Sequence, residues 1–232
     1  MYNKPFFIFF CNFAAGNRYL CNNMQEIKET NSYRLALKDK ILDAAMNAFM
    51  KHGIRAVKMD DIAQQLTISK RTLYEIYEDK EELLYRSIIK YDKLRLERLT
   101  QYAEEGHHVI DVILEAYRIK MNEVRTVNPS FYEDIMKYPK VEKYIKEAKK
   151  QSRGKFLDFM QLGVNQGLLR KEIDYNMVPH MFDAIGKHIM DNHLLQRYTV
   201  EQLFVNFFLV SLRGLCTPQG VKVLDEAVTK IQ

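Results

Sequence analysis

The sequence predicts an all-α protein: an N-terminal three-helix head containing a helix-turn-helix, joined to a larger helical C-terminal body. Three observations predict it. From Arg34 onward apolar residues recur at helical spacing, without the sustained alternation of half-buried strands. Asn128-Pro129 and Thr217-Pro218 each supply a cap followed by proline at the first helical position, where its missing N–H is harmless. Between Val57 and Leu84 two short apolar stripes flank a tight turn. At 232 residues, with 47% apolar residues, the chain has ample material for such a core.

The elements follow in order. Ile41, Ala45, Ala48, Phe49 and His52 share one face of a first helix, which Gly53 closes in left-handed conformation. A second helix runs from about Met59 to Leu66, with Asp60 and Asp61 near its positive end but Lys58 a poor residue for the cap. Ser69 caps a third through about Tyr77. Asp79 and Glu82 form an acidic capping box for a long fourth helix to about Ala103, with Glu82 and Arg86 spaced for an ion pair.

Beyond Gly106, Ile110, Ile113, Tyr117, Met121 and Val124 make one stripe. After Pro139, Val141, Ile145, Ala148, Phe156 and Phe159 line a long helix ending near Gly167. Asn176 is the expected cap of the next, with Pro179 in its first turn and Met181, Phe182, Ile185 and Ile189 on its apolar face. Thr199 starts another, with Leu203, Phe204, Phe207, Phe208, Ser211 and Leu215 along it, and a last amphipathic helix runs through Val223, Ala227 and Ile231.

Residues 1–33 are expected to be a tail, 34–80 a helix-turn-helix head and 81–232 a helical body. Phe6, Phe7, Ile8, Phe9, Phe10 and Phe13 form an apolar burst behind Lys4 that mimics a weak signal peptide. It is far shorter than the ~20 residues a membrane span needs, so no membrane association is expected. It reads as upstream sequence from a misassigned start, with Met24 the initiator, or as a disordered tail. Cys11, Cys21 and Cys216 show no metal-type pairing, as in a reducing cytoplasm. A net charge of +5 permits a polyanionic partner without demanding one.

The informative run is V-K-M-D-D-I-A-Q-Q-L-T-I-S-K-R-T-L-Y-E-I-Y-E-D-K-E-E-L-L, Val57 to Leu84. Ile62, Ala63 and Leu66 form the inner side of one helix, Thr67 and Ile68 the turn, and Leu73 with Ile76 or Tyr77 the inner side of the next. Small Ala63 allows two steeply crossed helices to approach. The face left outside carries Lys70, Arg71, Thr72, Tyr74 and Glu75 near the helix start, the part of a recognition helix that enters a major groove. Lys and Arg can donate to guanine, Thr can contact bases or thymine methyl, and Glu can accept from cytosine. Tyr74, Lys80 and the N–H groups of the helix starts capped by Ser69 and Asp79 suit phosphates. Singly, each of these residues is also what a solvated helix face would carry.

Together, Ile62, Ala63, Ile68, Ser69, Thr72, Leu73, Tyr74, Lys80 and Leu83-Leu84, preceded by Ala45, Phe49 and Gly53, resemble the head of the tetracycline-repressor (TetR) family of transcription regulators. The resemblance covers Lys38 to about Ser87 by motif and the rest by length and helicity. Two residues depart from the pattern: Lys58 stands for the usual Ser or Thr, and Thr67 for the common turn glycine. A turn needing positive φ would strain Thr67.

The resemblance implies a body that binds a small molecule and pairs with a second copy through its last long helices, on palindromic double-stranded DNA. Phe182, Ile185, Ile189, Phe204, Phe207, Phe208, Ser211 and Leu215 are the candidate interface residues; a simple internal core explains them too. Tyr117, Met121, Phe156, Phe159, Met160, Met181 and Phe182 are candidate pocket residues, equally consistent with core. His180, His188 and Asp183 could face one cavity and His107-His108 another, but the spacing is looser than a metal signature, and no metal or cofactor is expected. No glycine-rich phosphate loop or nucleophile elbow appears, so no enzyme is expected. The expected function is a homodimeric, sequence-specific repressor released by an unidentified small-molecule effector. The alternative is a DNA-binding or protein-interaction factor on the same scaffold without such a switch.

Overall fold

The structure, a computed structural model, describes residues 30–229. The apolar burst at Phe6–Phe13, Cys11, Cys21, Met24 and Ile231 lie outside the described residues. The described chain is helical, with no strand beyond an isolated antiparallel bridge between Leu169 and Cys216. None of its helices is long and apolar enough to cross a membrane.

The helices are α1 (Thr30–His52), α2 (Met59–Gln65), α3 (Lys70–Ile76), α4 (Lys80–Glu104), α5 (Val109–Thr126), α6 (Pro129–Asp134), α7 (Pro139–Asn165), α8 (Val178–Asp191), α9 (Val200–Leu203), α10 (Val210–Leu215) and α11 (Pro218–Thr229). A π-helical segment, Phe204–Leu209, links α9 to α10. Helix α1 begins at Thr30, inside the expected tail, because its first turns carry exposed Tyr33 and Leu35 and so lack the apolar stripe that marks a helix in sequence. Asn176 does not cap α8. Its N–H and side-chain amide both donate to the Asp174 carboxylate, at 2.9 and 3.1 Å, in a turn before the helix begins at Val178.

The chain forms two compact units, divided within α4 between Arg95 and Leu96 and within α7 between Lys146 and Glu147, with a further boundary after Arg125. One holds α1 to α3, the start of α4, α6 and the start of α7. Its core joins Ile41, Phe49, Ile62, Leu73, Leu83 and Leu84 to Phe131, Ile135 and Val141. The carbonyls left open at the end of α1 are met by Gly53, whose N–H donates to the Phe49 carbonyl at 2.9 Å, and by Asn128, whose N–H donates to the Met50 carbonyl at 2.7 Å. Gly53 has φ +84, and a Cβ there would lie 2.1 Å from Ser130 Oγ, so both backbone conformation and space exclude a side chain. Buried Asp134 is compensated by Lys137 Nζ at 2.6 Å and Arg55 Nε at 3.2 Å.

The other unit holds the rest of α4, α5, most of α7 and α8 to α11. Its core is built on Ile110, Leu114 and Tyr117 of α5, Phe156 and Met160 of α7, and Phe208, Leu212 and Leu224 toward the C-terminus. Thr199 and Thr217 cap their helices as expected: Thr199 Oγ1 accepts from Gln202 N–H at 3.2 Å and Thr217 Oγ1 from Gly220 N–H at 3.1 Å.

Candidate nucleic-acid interface and body cavity

In the head unit, Ile62 and Ala63 of α2 and Leu73 of α3 are almost wholly buried, and the Ile68 N–H returns to the Ala63 carbonyl at 3.0 Å to close the turn. Thr67 adopts φ +54, the left-handed conformation that favours glycine and that a β-branched residue adopts with strain. The missing side-chain cap at Lys58 is offset from the other direction: Asp61, three residues on, accepts the Lys58 N–H at 2.8 Å. Ser69 caps α3, its Oγ accepting the Thr72 N–H at 3.0 Å and lying 2.8 Å from the Thr72 hydroxyl.

That cap aims the start of α3 outward. Lys70, Arg71, Tyr74 and Glu75 are exposed, with Tyr74 at 49%, and Thr72 is half-buried beneath them. Both cations already have carboxylate partners: Lys70 is ion-paired to Asp60 of α2, and Arg71 Nε lies 2.8 Å from Glu75 Oε1. The hydrogen bond to Asp60, aided by its charge, holds the Lys70 ammonium above its ordinary value. Lys80 is placed differently from the others. Its ammonium donates to the Val57 carbonyl at 2.7 Å and the Arg55 carbonyl at 3.3 Å, and burial lowers its pKa. The lysine expected to meet phosphate is directed at head backbone.

In the body unit, a cavity of about 40 Å³ is lined by Tyr117, Lys120, Met121 and Val124 of α5, Phe182, Asp183, Ile185 and Ile189 of α8, and Val200, Leu203, Phe204, Phe207 and Phe208, with Leu195. Tyr117 stacks on Phe204 at 3.8 Å between centroids and on Phe208 at 4.7 Å, and Phe182 meets Phe208 at 5.5 Å. The two ionisable acid and base residues of the lining are held in pairs: Lys120 with Glu123 and Asp183 with Lys149, both at 3.0 Å. Burial raises the Asp183 carboxyl and the Tyr117 phenol above their ordinary values.

The sequence signature of bacterial regulatory proteins of the tetR family matches residues 41–86, the segment whose geometry has just been described. The head segment is thus similar to the DNA-binding segment of tetR-family proteins. IcaR, the negative regulator of the biofilm operon icaADBC in Staphylococcus epidermidis, is 38% identical over 52 residues, 22% of this chain and 28% of IcaR. The chain thus matches little more than a quarter of that relative's length. KstR2, a helix-turn-helix transcriptional repressor of Mycobacterium tuberculosis, is 27% identical over 163 residues, 61% of this chain and 73% of KstR2. A structure solved to explain control of antibiotic production by bacterial hormones has a TM-score of 0.56 at 14% identity, over 79% of this chain and 99% of that one, so the fold is shared.

In the head unit, Ser69, Lys70, Arg71, Thr72, Tyr74 and Glu75 come together at the start of α3, and Lys80 stands apart. Asp60 was missed as the partner of Lys70, since in sequence it reads only as a favourable first-turn acid. Of the expected pocket residues Tyr117, Met121 and Phe182 line the cavity; Phe156 and Met160 are buried in the core without lining it, Phe159 packs against that core, and Met181 is 37% exposed. Phe182, Ile185, Ile189, Phe204, Phe207 and Phe208, expected toward a partner, face the cavity. Leu215 is buried within its own unit and Ser211 half-buried. Lys120 was missed, although a lysine at the i+3 place of the Tyr117, Met121, Val124 stripe was a readable signal. Asp183 and His180 interact electrostatically, with Lys149 taking the carboxylate. Among the described residues no group of three or more His, Cys, Asp and Glu is arranged to hold a metal ion.

Proposed function

We propose that the chain is a homodimeric repressor in the cytoplasm that leaves a palindromic operator when a small molecule occupies its body. In this reading residues 34–80 read DNA and residues 81–232 bind effector and partner. The observation that carries it is the row from Ser69 to Glu75, turned outward by the Ser69 cap at the start of a short helix, with cationic, hydroxyl and acceptor groups at the end that enters a groove. Repression is the activity named for IcaR and KstR2. For the partner surface, Met181 of α8 with Val205 and Val210 supports a second copy, being apolar and exposed at 37%, 45% and 62%. An effector acts only if it binds one arrangement of the protein better than another.

The alternative, a DNA-binding factor without a small-molecule switch, is favoured by the size of the cavity, about 40 Å³, against ~300–1,000 Å³ for typical ligand sites. Selection from randomised duplexes with purified protein, followed by light scattering of the complex, tests the primary reading. The expected result is a palindrome with half-sites about 10 base pairs apart, or a multiple of that, bound by two chains. A non-palindromic site bound by one chain would contradict it.

A further inference from the structure

We propose that the body cavity takes an electrically neutral, planar ring compound, which enters by parting the stack of Tyr117, Phe204 and Phe208. The proposal rests on the effector reading above and narrows it to a chemical class. The first ground is the geometry of the rings. Tyr117, Phe204 and Phe208 lie within 20° to 24° of parallel, with centroids 3.8 to 5.4 Å apart. In the empty protein these rings satisfy one another. A flat guest sliding between them replaces ring–ring contact with ring–guest contact of the same kind, whereas a flexible aliphatic chain gives up the offset-stacking preference.

The second ground is charge. Lys120 and Asp183 line the cavity from α5 and α8, and each is already neutralised by a partner at 3.0 Å, Glu123 and Lys149. Every other lining residue is apolar or aromatic. A charged guest would leave water for an enclosure whose charges are spent on each other, a transfer that is costly unless a counter-charge is supplied. A neutral guest meets no such cost. The burial that raises the Asp183 carboxyl and the Tyr117 phenol reports the same aversion to net charge.

The third ground is where the wall can give. A cavity of about 40 Å³ holds no ring compound as it stands, so walls must move. Phe204, Phe207 and Phe208 all sit on the π-helical segment Phe204–Leu209. Such segments interrupt α-helices and recur at functional sites. Return of this segment to α-helical register would rotate the three rings together relative to Tyr117.

The chain has no tryptophan, so Phe207→Trp installs in the lining a single tryptophan, excited selectively on the long-wavelength side of tyrosine absorption. Three planar probes are titrated into this variant without DNA: neutral N-phenylnaphthylamine, anionic anilinonaphthalene sulfonate and cationic berberine. Energy transfer from the new tryptophan to the neutral probe is expected, with binding at least about tenfold tighter than for either ion. Glu123→Gln, which removes the counter-charge of Lys120, is expected to improve binding of the anionic probe at least about tenfold. The paired change Lys120→Met with Glu123→Leu is expected to keep the neutral preference. Circular dichroism confirms that each variant is folded. Equal or tighter binding of either ion to the protein with Glu123 intact overturns the proposal, as does failure of all three probes to bind. Release of a selected operator, measured separately with a chemically diverse panel, judges the effector reading itself. A charged releaser would leave that reading standing while this proposal falls.

Discussion

Lys70 of the outward helix is ion-paired to Asp60 of the helix before it, across the turn of the helix-turn-helix. The pair braces α3 against α2, and it also occupies a cation on the face offered to DNA. Binding a duplex therefore exchanges a carboxylate partner for phosphate or a base edge. Asp60→Asn should strengthen binding to any duplex a few-fold and steepen the salt dependence, by about 0.9 in log–log slope for one added phosphate contact. Fluorescence anisotropy over a range of salt concentrations checks this. An unchanged slope would mean that Lys70 does not reach phosphate even when released.

Lys80 ties the start of α4 to the carbonyls of Val57 and Arg55, so its removal should first be felt as stability. Lys80→Met is expected to cost about 1.5 to 3 kcal/mol, the range for hydrogen bonds involving a charged group, seen as a lower midpoint in thermal unfolding. A residue acting only on phosphate would leave the midpoint alone and reduce the salt slope.

The left-handed Thr67 offers an opposite test. Thr67→Gly removes the strain of a β-branched residue at φ +54, less the greater chain entropy of glycine, and should stabilise the head by about 1 kcal/mol. Urea unfolding of the two proteins measures it. Equal stability would show that the surrounding turn already absorbs the conformation.

Ser87 in α4 is buried, and among the described residues its hydroxyl has no hydrogen-bond partner. Ser87→Ala should therefore raise stability by about 1 kcal/mol, the desolvation of an unsatisfied hydroxyl being the quantity removed. The same denaturation experiment reads it, and a loss of stability would reveal a partner for the hydroxyl.

The head was legible in the sequence because its signals are local. Ile62, Ala63 and Leu73 lie within a dozen residues, Ser69 caps at fixed spacing, and Thr67 stands where the resembled family commonly has a turn glycine. The direction of Lys80 was not legible, since a lysine at a helix start looks the same whether it meets a phosphate or a carbonyl. Nor was the contribution of Phe131, Ile135 and Val141 to the head core, which comes from far along the chain. In the last helices Phe204, Phe207, Phe208, Ser211 and Leu215 read as a partner surface at α-helical period. The π segment changes that phase: Leu203 and Phe208, five residues apart, are both buried, while Val205 and Val210, also five apart, are exposed. An aromatic face reads alike in sequence whether it meets a partner or lines a cavity.

If the outward side chains of α3 read DNA bases, Arg71 is the residue to change, because its side chain is 88% exposed and among the described residues is ion-paired to the exposed Glu75 at 2.8 Å. The decisive measurement is the ratio of affinity for the selected operator to affinity for a scrambled duplex, taken for the unaltered protein and for Arg71→Ala at one salt concentration. The ratio is expected to fall about 5- to 160-fold, the worth of one bidentate base contact, with binding to the scrambled duplex changed far less. Equal losses on both duplexes, or none on either, would contradict it.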